Sequence, residues 1–140
     1  MAAVTLAVGD SRSVEIVARE KWNPTGVLVG PGQRYAFAAT GKWIDGGIPC
    51  GPGGFTVDQA HGIAHLIVKA GAPFLRVKNG RYFCVVGCVG RVRSSFFVIG
   101  TGRPDWSTSR SGLLECFAND VPIAYWNNEG SVALVVTRLS

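Results

Sequence analysis

The chain has few charged residues and few cysteines for its length. Charged residues make up 16% of the 140 positions and hydrophobic residues 47%, a balance that is typical of a globular domain and excludes a disordered one. Four cysteines are too few to form a disulfide framework in a domain of this size. No apolar stretch reaches the length of about 18 residues that a transmembrane helix requires, so we expect no membrane insertion.

The chain also lacks clustered basic residues and a recognisable leader. Residues 1–10 contain neither a basic start nor a long apolar core, so no secretory signal is predicted and the expected compartment is the cytoplasm, with export by a route without a signal left open. The net charge of +5 comes from scattered Lys and Arg residues. This pattern indicates solubility and predicts no nucleic-acid partner.

Motifs for catalysis are scarce as well. We find no glycine-rich phosphate loop between a strand and a helix, no carboxylate pair at a suggestive spacing and no serine elbow. Cys50 lies in a Gly/Pro loop and is the one candidate nucleophile, but no base is placed beside it. The other three cysteines lie in apolar runs and are expected to be buried. The chain is therefore predicted not to be an enzyme.

Two pairs of residues raise the alternative of a zinc site. His61 and His65 are spaced i, i+4, and so are Cys84 and Cys88. If residues 82–89 form a strand, the two sulfurs are about 13 Å apart along it, too far to share one zinc ion. The pattern thus favours a strand with buried thiols over a metal site.

What the chain has in abundance is turn residues between short apolar runs. Nineteen Gly and seven Pro punctuate about eight segments, which predicts an all-β fold with many turns. In the clearest segment, Tyr35, Phe37, Ala39 and Trp43 fall on one face of a strand. We expect one domain over residues 1–140, an antiparallel, jelly-roll-like β-sandwich.

One segment predicts a short helix. Thr56 is placed to cap it with Gln59 three residues later, and the helix would extend to Ala70. Ile63 shares a face with the apolar pair at 66 and 67.

The end of the chain carries the most informative motif. Asp120 is followed seven and eight residues later by Asn127 and Asn128, between two strand-like segments. Carboxylate and amide oxygens are the donors that a hard cation such as calcium prefers. The alternative is turn chemistry, because Asn and Asp bond their own backbone in tight turns at little cost.

The stretch from Asn119 to Val136 resembles the calcium motif of the LecA-type bacterial galactose-binding lectins, which are small β-sandwiches with a calcium and sugar site on loops at one end. The resemblance implies that Asp120, Asn127 and Asn128 provide side-chain ligands to calcium. It also implies backbone carbonyl ligands from Asp45, which follows a second similar stretch at 31–41, and from Ala124.

The same resemblance implies sugar contacts, with clear departures from the family pattern. Asp45, Asp120, Val121 and Asn127 would contact the sugar, and Gln59 stands in an Asp-Gln pair similar to that of the family. Ala124 replaces a Thr of the motif. Trp126 replaces a Gly, and its indole would either block the sugar or stack on the sugar's apolar face, as Trp43 also could.

These observations predict a calcium-dependent lectin-like domain that binds a carbohydrate, plausibly a galactoside, through the ion. Single sites of this kind are weak, so we expect a homo-oligomer that gains avidity. The alternative is a structural or protein-interaction module that keeps the calcium loop and has lost sugar binding.

Overall fold

The computed structural model describes residues 2–140 and contains within them ten β-strands and one α-helix. The fold is the predicted antiparallel β-sandwich, with ten strands rather than about eight. The strands are β1 (Ser11–Val17), β2 (Asn23–Val29), β3 (Arg34–Asp45), β4 (Ile48–Cys50), β5 (Gly53–Phe55), β6 (Tyr82–Val89), β7 (Phe97–Val98), β8 (Gly102–Ser107), β9 (Gly112–Ala118) and β10 (Asn128–Arg138).

The strands form two five-stranded sheets. The first sheet has the order β1-β10-β3-β4, with β8 also pairing with β3, and the second has the order β2-β9-β6-β5, with β7 pairing with β6. The chain passes from the second sheet to the first through the segment between β9 and β10. This crossing places residues 119–127 at one end of the sandwich, where both sheets can contribute to a site.

Alternation along the strands explains which faces are buried. In β3, Tyr35, Phe37, Ala39 and Trp43 are all buried, while the intervening residues are more exposed, as the sequence pattern predicts. β6 differs because all eight of its residues are buried. Its inner face joins the main core, and its outer face joins a second apolar cluster with Phe117, over which Phe96 packs.

The predicted helix between residues 56 and 70 is divided. A 3₁₀ turn covers Val57–Gln59, and the α-helix α1 spans Gly62–Gly71. Thr56 and Gln59 do form a capping pair, but they cap the 3₁₀ turn. The three residues predicted to share a face of the helix, Ile63, Leu66 and Ile67, are 66–77% exposed. Among residues 2–140, no helix combines the length and apolar character needed to cross a bilayer.

Candidate functional site

The candidate site is built where β3 ends and β10 begins. These strands are antiparallel neighbours, and Asp45 pairs with Asn128 in their register. The Gly46 amide donates a hydrogen bond to the Asn127 carbonyl oxygen at 3.2 Å. Residues more than 80 positions apart in the sequence therefore meet at one point.

Glycine at position 46 is required by this close approach. Gly46 has a positive φ of +52°, and a Cβ atom there would lie 2.9 Å from the Asn127 Nδ2 atom. An L-residue would be strained in this conformation and would press on the amide. The glycine thus allows the Asn127 side chain to approach the end of β3.

Asn119 fixes the start of the segment that crosses between the sheets. Its side chain donates to the carbonyl oxygens of Val77 and Arg81 at 2.9 and 3.0 Å, and its Oδ1 accepts from the Val77 amide at 2.9 Å. Both the NH2 group and the oxygen of its side chain are therefore hydrogen-bonded within the protein, so Asn119 has a structural role.

Tyr125 fixes the other end of the same segment. It is buried, its hydroxyl donates to the Ala118 carbonyl, and the Arg76 Nη1 donates to that hydroxyl at 2.9 Å. The segment is thereby held at both ends, which positions Asp120 between them.

Asp120 is buried and only half satisfied. Its residue is 2% exposed, and its Oδ1 accepts from the Val121 amide at 2.7 Å. The second carboxylate oxygen is buried without a hydrogen-bond partner. Asp120 is therefore buried although Ile123 and Trp126 in the same segment are exposed.

The two asparagines repeat this pattern. The Oδ1 atoms of Asn127 and Asn128 are also buried without a partner. The Asn128 Nδ2 donates to the Ala18 carbonyl at 3.1 Å, which fixes the orientation of its amide. Leaving a buried oxygen unpaired costs about 1–3 kcal/mol, so three such atoms at one end of a sandwich call for a donor or a cation.

The electrostatics of the site point the same way. Burial and the nearby charge of Asp120 raise the pKa of Asp45 to about 7. Burial also raises the pKa of Asp120, and the Val121 amide and the Asn128 side chain partly offset this effect. A bound cation would stabilise the charged forms of the half-buried Asp45 and the buried Asp120, which repel each other.

The residues present fit a hard divalent cation. The donors are two carboxylates and two amide oxygens, without sulfur or imidazole, and oxygen-only donor sets suit calcium rather than zinc. No group of three or more His, Cys, Asp or Glu side chains converges within residues 2–140. A calcium ion would therefore be held by a weakly charged set completed by carbonyls and by a ligand or water.

A cavity of about 280 Å³ opens onto these groups. Its floor carries Asp45, Asp120 and Asn127, and Val121 and Ala124 also line it, so the structure brings five of the predicted site residues together. Most of its apolar wall comes from α1 (Ala64, Ile67 and Val68) and the crossing segment (Val121, Ile123 and Ala124), and Ile48 of β4 adds to it. The result is a cleft with an acidic floor and an aliphatic wall.

Three other predicted contacts lie elsewhere. Trp126 is 75% exposed and does not line the cavity. The Gln59 Oε1 accepts from the Thr56 amide at 2.7 Å, which commits that side chain to the capping pair. Trp43 is fully buried, with its ring centroid 5.2 Å from that of Phe83, so its indole is a core residue and cannot stack on a sugar.

The thiols are also placed by the fold. Residues 82–89 form the predicted strand, and Cys84 and Cys88 are buried in it. Cys50, expected to be exposed, is only partly exposed, and burial raises the pKa of its thiol to about 12. A thiol with so high a pKa is a poor nucleophile at neutral pH.

Sequence reasoning missed the aliphatic wall of the cavity. The i, i+4 spacing of Ile63 and Ile67 marked an apolar helix face, but the same pattern fits a face that packs on a core and one that borders a cleft. Ile123, a large aliphatic residue between Asp120 and Asn127, was the available signal in the sequence, and it is 85% exposed. A large aliphatic residue in a polar loop has no core to join.

The comparisons with known proteins bear on the fold. No protein-family model and no curated protein sequence matches the chain. Among solved structures, the chain is similar to the N-terminal domain of EclA, described as a PllA-like lectin, with a TM-score of 0.66 and 19% sequence identity over 91% of this chain and 95% of that one. The sandwich is thus a lectin-like fold, while the LecA-type assignment itself stays a prediction.

Proposed function

We propose that this protein is a calcium-dependent carbohydrate-binding domain whose site is the cleft at the end of the sandwich. The observation that carries the proposal is that three buried oxygens without a partner, from Asp120, Asn127 and Asn128, lie beside the half-buried carboxylate of Asp45. The fold shared with a PllA-like lectin supports the same proposal. The resemblance of the Asn119–Val136 motif makes a galactoside the first ligand to test.

The residues take distinct roles in this proposal. Asp120 and Asp45 supply the negative charge, and Asn127 and Asn128 supply amide oxygens. Ala124 and Asp45 are the candidates for carbonyl ligands. Calcium accepts six to eight oxygen ligands, so vicinal hydroxyls of a sugar can complete a shell that the protein leaves open.

The wall of the cleft gives the sugar a second type of contact. A pyranose ring has a polar edge and an apolar C–H face, and the cleft offers charged oxygens on its floor and aliphatic groups from Ile67 and Ile123 on its wall. Binding sites for small ligands usually combine an apolar lining with few polar groups. Trp126 is left out of this contact because it lies away from the cleft.

Calorimetric titration, first with calcium and then with methyl galactosides, tests the proposal. We expect heat from calcium, and heat from a galactoside only when calcium is present. Asp45→Asn should weaken both signals. Asp10→Asn is the matched control, because it removes an equal charge from an exposed residue whose carbonyl oxygen accepts from the Arg138 amide, at the opposite end of β10 from the site. Absence of any calcium heat at millimolar concentration would refute the metal site and the sugar site together.

A protein-interaction module is the second candidate, and the exposed apolar face of α1 favours it. Three large aliphatic residues of α1 face solvent, and contiguous exposed apolar surface commonly marks a contact site. Calcium heat without heat from any of a panel of monosaccharides would select this candidate. A homo-oligomer is proposed for either candidate, and sedimentation equilibrium measures it directly.

A further inference from the structure

A second cavity lies on the outer face of the second sheet. It has a volume of about 270 Å³ and is lined by Trp22, Arg76, Arg91, Arg93, Phe96 and Pro122. Three of its six lining residues are arginines and two are aromatic. None of them was singled out as a site residue by the sequence motifs.

Arg76 is locked in place by aromatic rings. Its Cζ atom lies 3.5 Å from the ring centroid of Phe117 and 4.4 Å from that of Trp22. Its Nη1 atom donates to the Lys21 carbonyl at 2.8 Å and to the Tyr125 hydroxyl at 2.9 Å. A guanidinium held in this way loses little entropy when it binds a ligand through its remaining N–H groups.

Within residues 2–140, Arg91 is paired with one carboxylate, that of Glu115. Its Nε and Nη2 atoms donate to the two oxygens of Glu115 at 2.7 and 3.1 Å, and Glu115 is 3% exposed. Both carboxylate oxygens of Glu115 therefore accept hydrogen bonds from one guanidinium. Glu115 neutralises Arg91 and leaves Arg76 and Arg93 uncompensated.

Arg93 completes the set. It lies in the 3₁₀ turn Arg93–Ser95 at the rim of the cavity. Within residues 2–140, the ion pairs are Arg34–Asp105 and Arg91–Glu115, so neither Arg76 nor Arg93 has a carboxylate within 4.0 Å.

The guanidiniums of Arg76, Arg91 and Arg93 line one cavity with a single carboxylate beside them, so they repel each other, and a bound anion relieves that repulsion. The planar N–H fork of arginine matches the oxygens of phosphate and sulfate in a bidentate way. The aromatic and proline surfaces of the cavity leave room for an apolar ring beside the anion. An ordinary surface cluster of solvated arginines has neither a cavity nor side chains fixed by aromatic rings.

We propose that this cavity is a second binding site, specific for a sulfate or phosphate monoester carried on a sugar-sized ring. Arg93 and the free N–H groups of Arg76 would bind the oxyanion, and Phe96 and Pro122 would contact the ring. This site shares no side chain with the calcium site, although Arg76 and Pro122 connect it to the crossing segment that carries Asp120.

Calorimetry in the presence of EGTA, which keeps the calcium site out of the measurement, tests this proposal. The probes are glucose 6-sulfate, glucose 6-phosphate, inorganic sulfate, inorganic phosphate and glucose. We expect saturable binding of at least one ester, weaker binding of its inorganic ion and none of glucose. The stronger of the two esters identifies the natural oxyanion, and sodium chloride should weaken its binding by screening.

Arg93→Ala is the decisive variant because Arg93 is exposed and has no partner whose loss would disturb the fold. Removal of a charge-assisted hydrogen bond should weaken ester binding about tenfold or more. Lys42→Ala is the matched control, because it removes the same charge from an exposed side chain on β3, in the opposite sheet. It should change the affinity less than about twofold. Equal weakening in both variants, or no saturable binding of either ester by the wild type, would overturn the proposal.

Discussion

Replacing Asp120 by Asn separates a metal ligand from a structural turn residue, because the two roles predict opposite effects on stability. The Oδ1 of Asp120 accepts from the Val121 amide at 2.7 Å, and an amide oxygen can accept that bond equally well. The partnerless Oδ2 would become an NH2 group. The substitution thus keeps the turn and removes the buried charge.

The magnitude follows from the buried groups. Without metal, Asp120→Asn removes a carboxylate whose pKa is raised by burial and supplies a donor in the same site as the partnerless oxygens of Asn127 and Asn128. Satisfying one such oxygen stabilises the protein by about 1–3 kcal/mol, which in a domain of this size raises Tm by several degrees. With metal, losing one of two charged ligands costs about 3 kcal/mol, or about two orders of magnitude in affinity.

Thermal denaturation in EGTA and in 10 mM calcium chloride measures both effects in one experiment. We expect the EGTA Tm of Asp120→Asn to be at or above that of the wild type, and the calcium-induced rise in Tm, which follows mass action, to be lost. Asp10→Asn, in an exposed turn, should behave as the wild type in both buffers. An EGTA Tm several degrees below the wild type, or a calcium shift that survives, would refute the metal-ligand reasoning.

Three further predictions concern groups around the site. The Asp45 pKa is about 7 in the folded chain against an ordinary value of 3.8. A carboxyl group with a raised pKa stabilises the folded state at pH values below its pKa in the unfolded chain, so the metal-free free energy of unfolding should fall by about 2 kcal/mol between pH 4 and 7. Urea titrations of the wild type at several pH values should show this fall, and those of Asp45→Asn should not. Arg76→Ala should lower the urea-derived free energy of unfolding by about 2–3 kcal/mol, because it loses packing on Phe117 and hydrogen bonds to Lys21 and Tyr125. A loss below about 0.5 kcal/mol would show that these contacts do not stabilise the fold. Iodoacetamide should label Cys50 far more slowly than free cysteine at pH 7.5, because the pKa of its thiol is raised to about 12; mass spectrometry of the digest gives the rate.

The strands that the sequence predicts well are those with a clear alternation or a long apolar run, such as β3, β6 and β10. The strands it misses have a physical reason. β4 and β5 are three residues long and lie in a glycine-rich stretch. Such short segments cannot show an alternation of apolar and polar residues. β8 contains Pro104 and pairs only with β3, which is the edge position that tolerates proline.

The site was predictable to the extent that it depends on residue type and register, and no further. Oxygen donors at 120, 127 and 128 are visible in the motif, and the antiparallel pairing of β3 with β10 explains why residue 45 joins them. Burial was not predictable, because a polar turn of this composition is usually exposed. The exposure of the α1 face was not predictable either, because apolar residues spaced i, i+4 fit a face that packs on the core as well as one that borders a cleft.

The position of the site between the two sheets gives it a consequence for the whole fold. Asp120 follows β9 of the second sheet, whereas Asp45 and Asn128 belong to paired strands of the first. A cation bound by all three would link the sheets at the end where the chain crosses between them. Because three buried oxygens there lack partners and each costs about 1–3 kcal/mol, the metal-free sandwich is least stable at this end. Hydrogen exchange should therefore be fastest there without calcium, and calcium should slow exchange in residues 119–128 more than in β1.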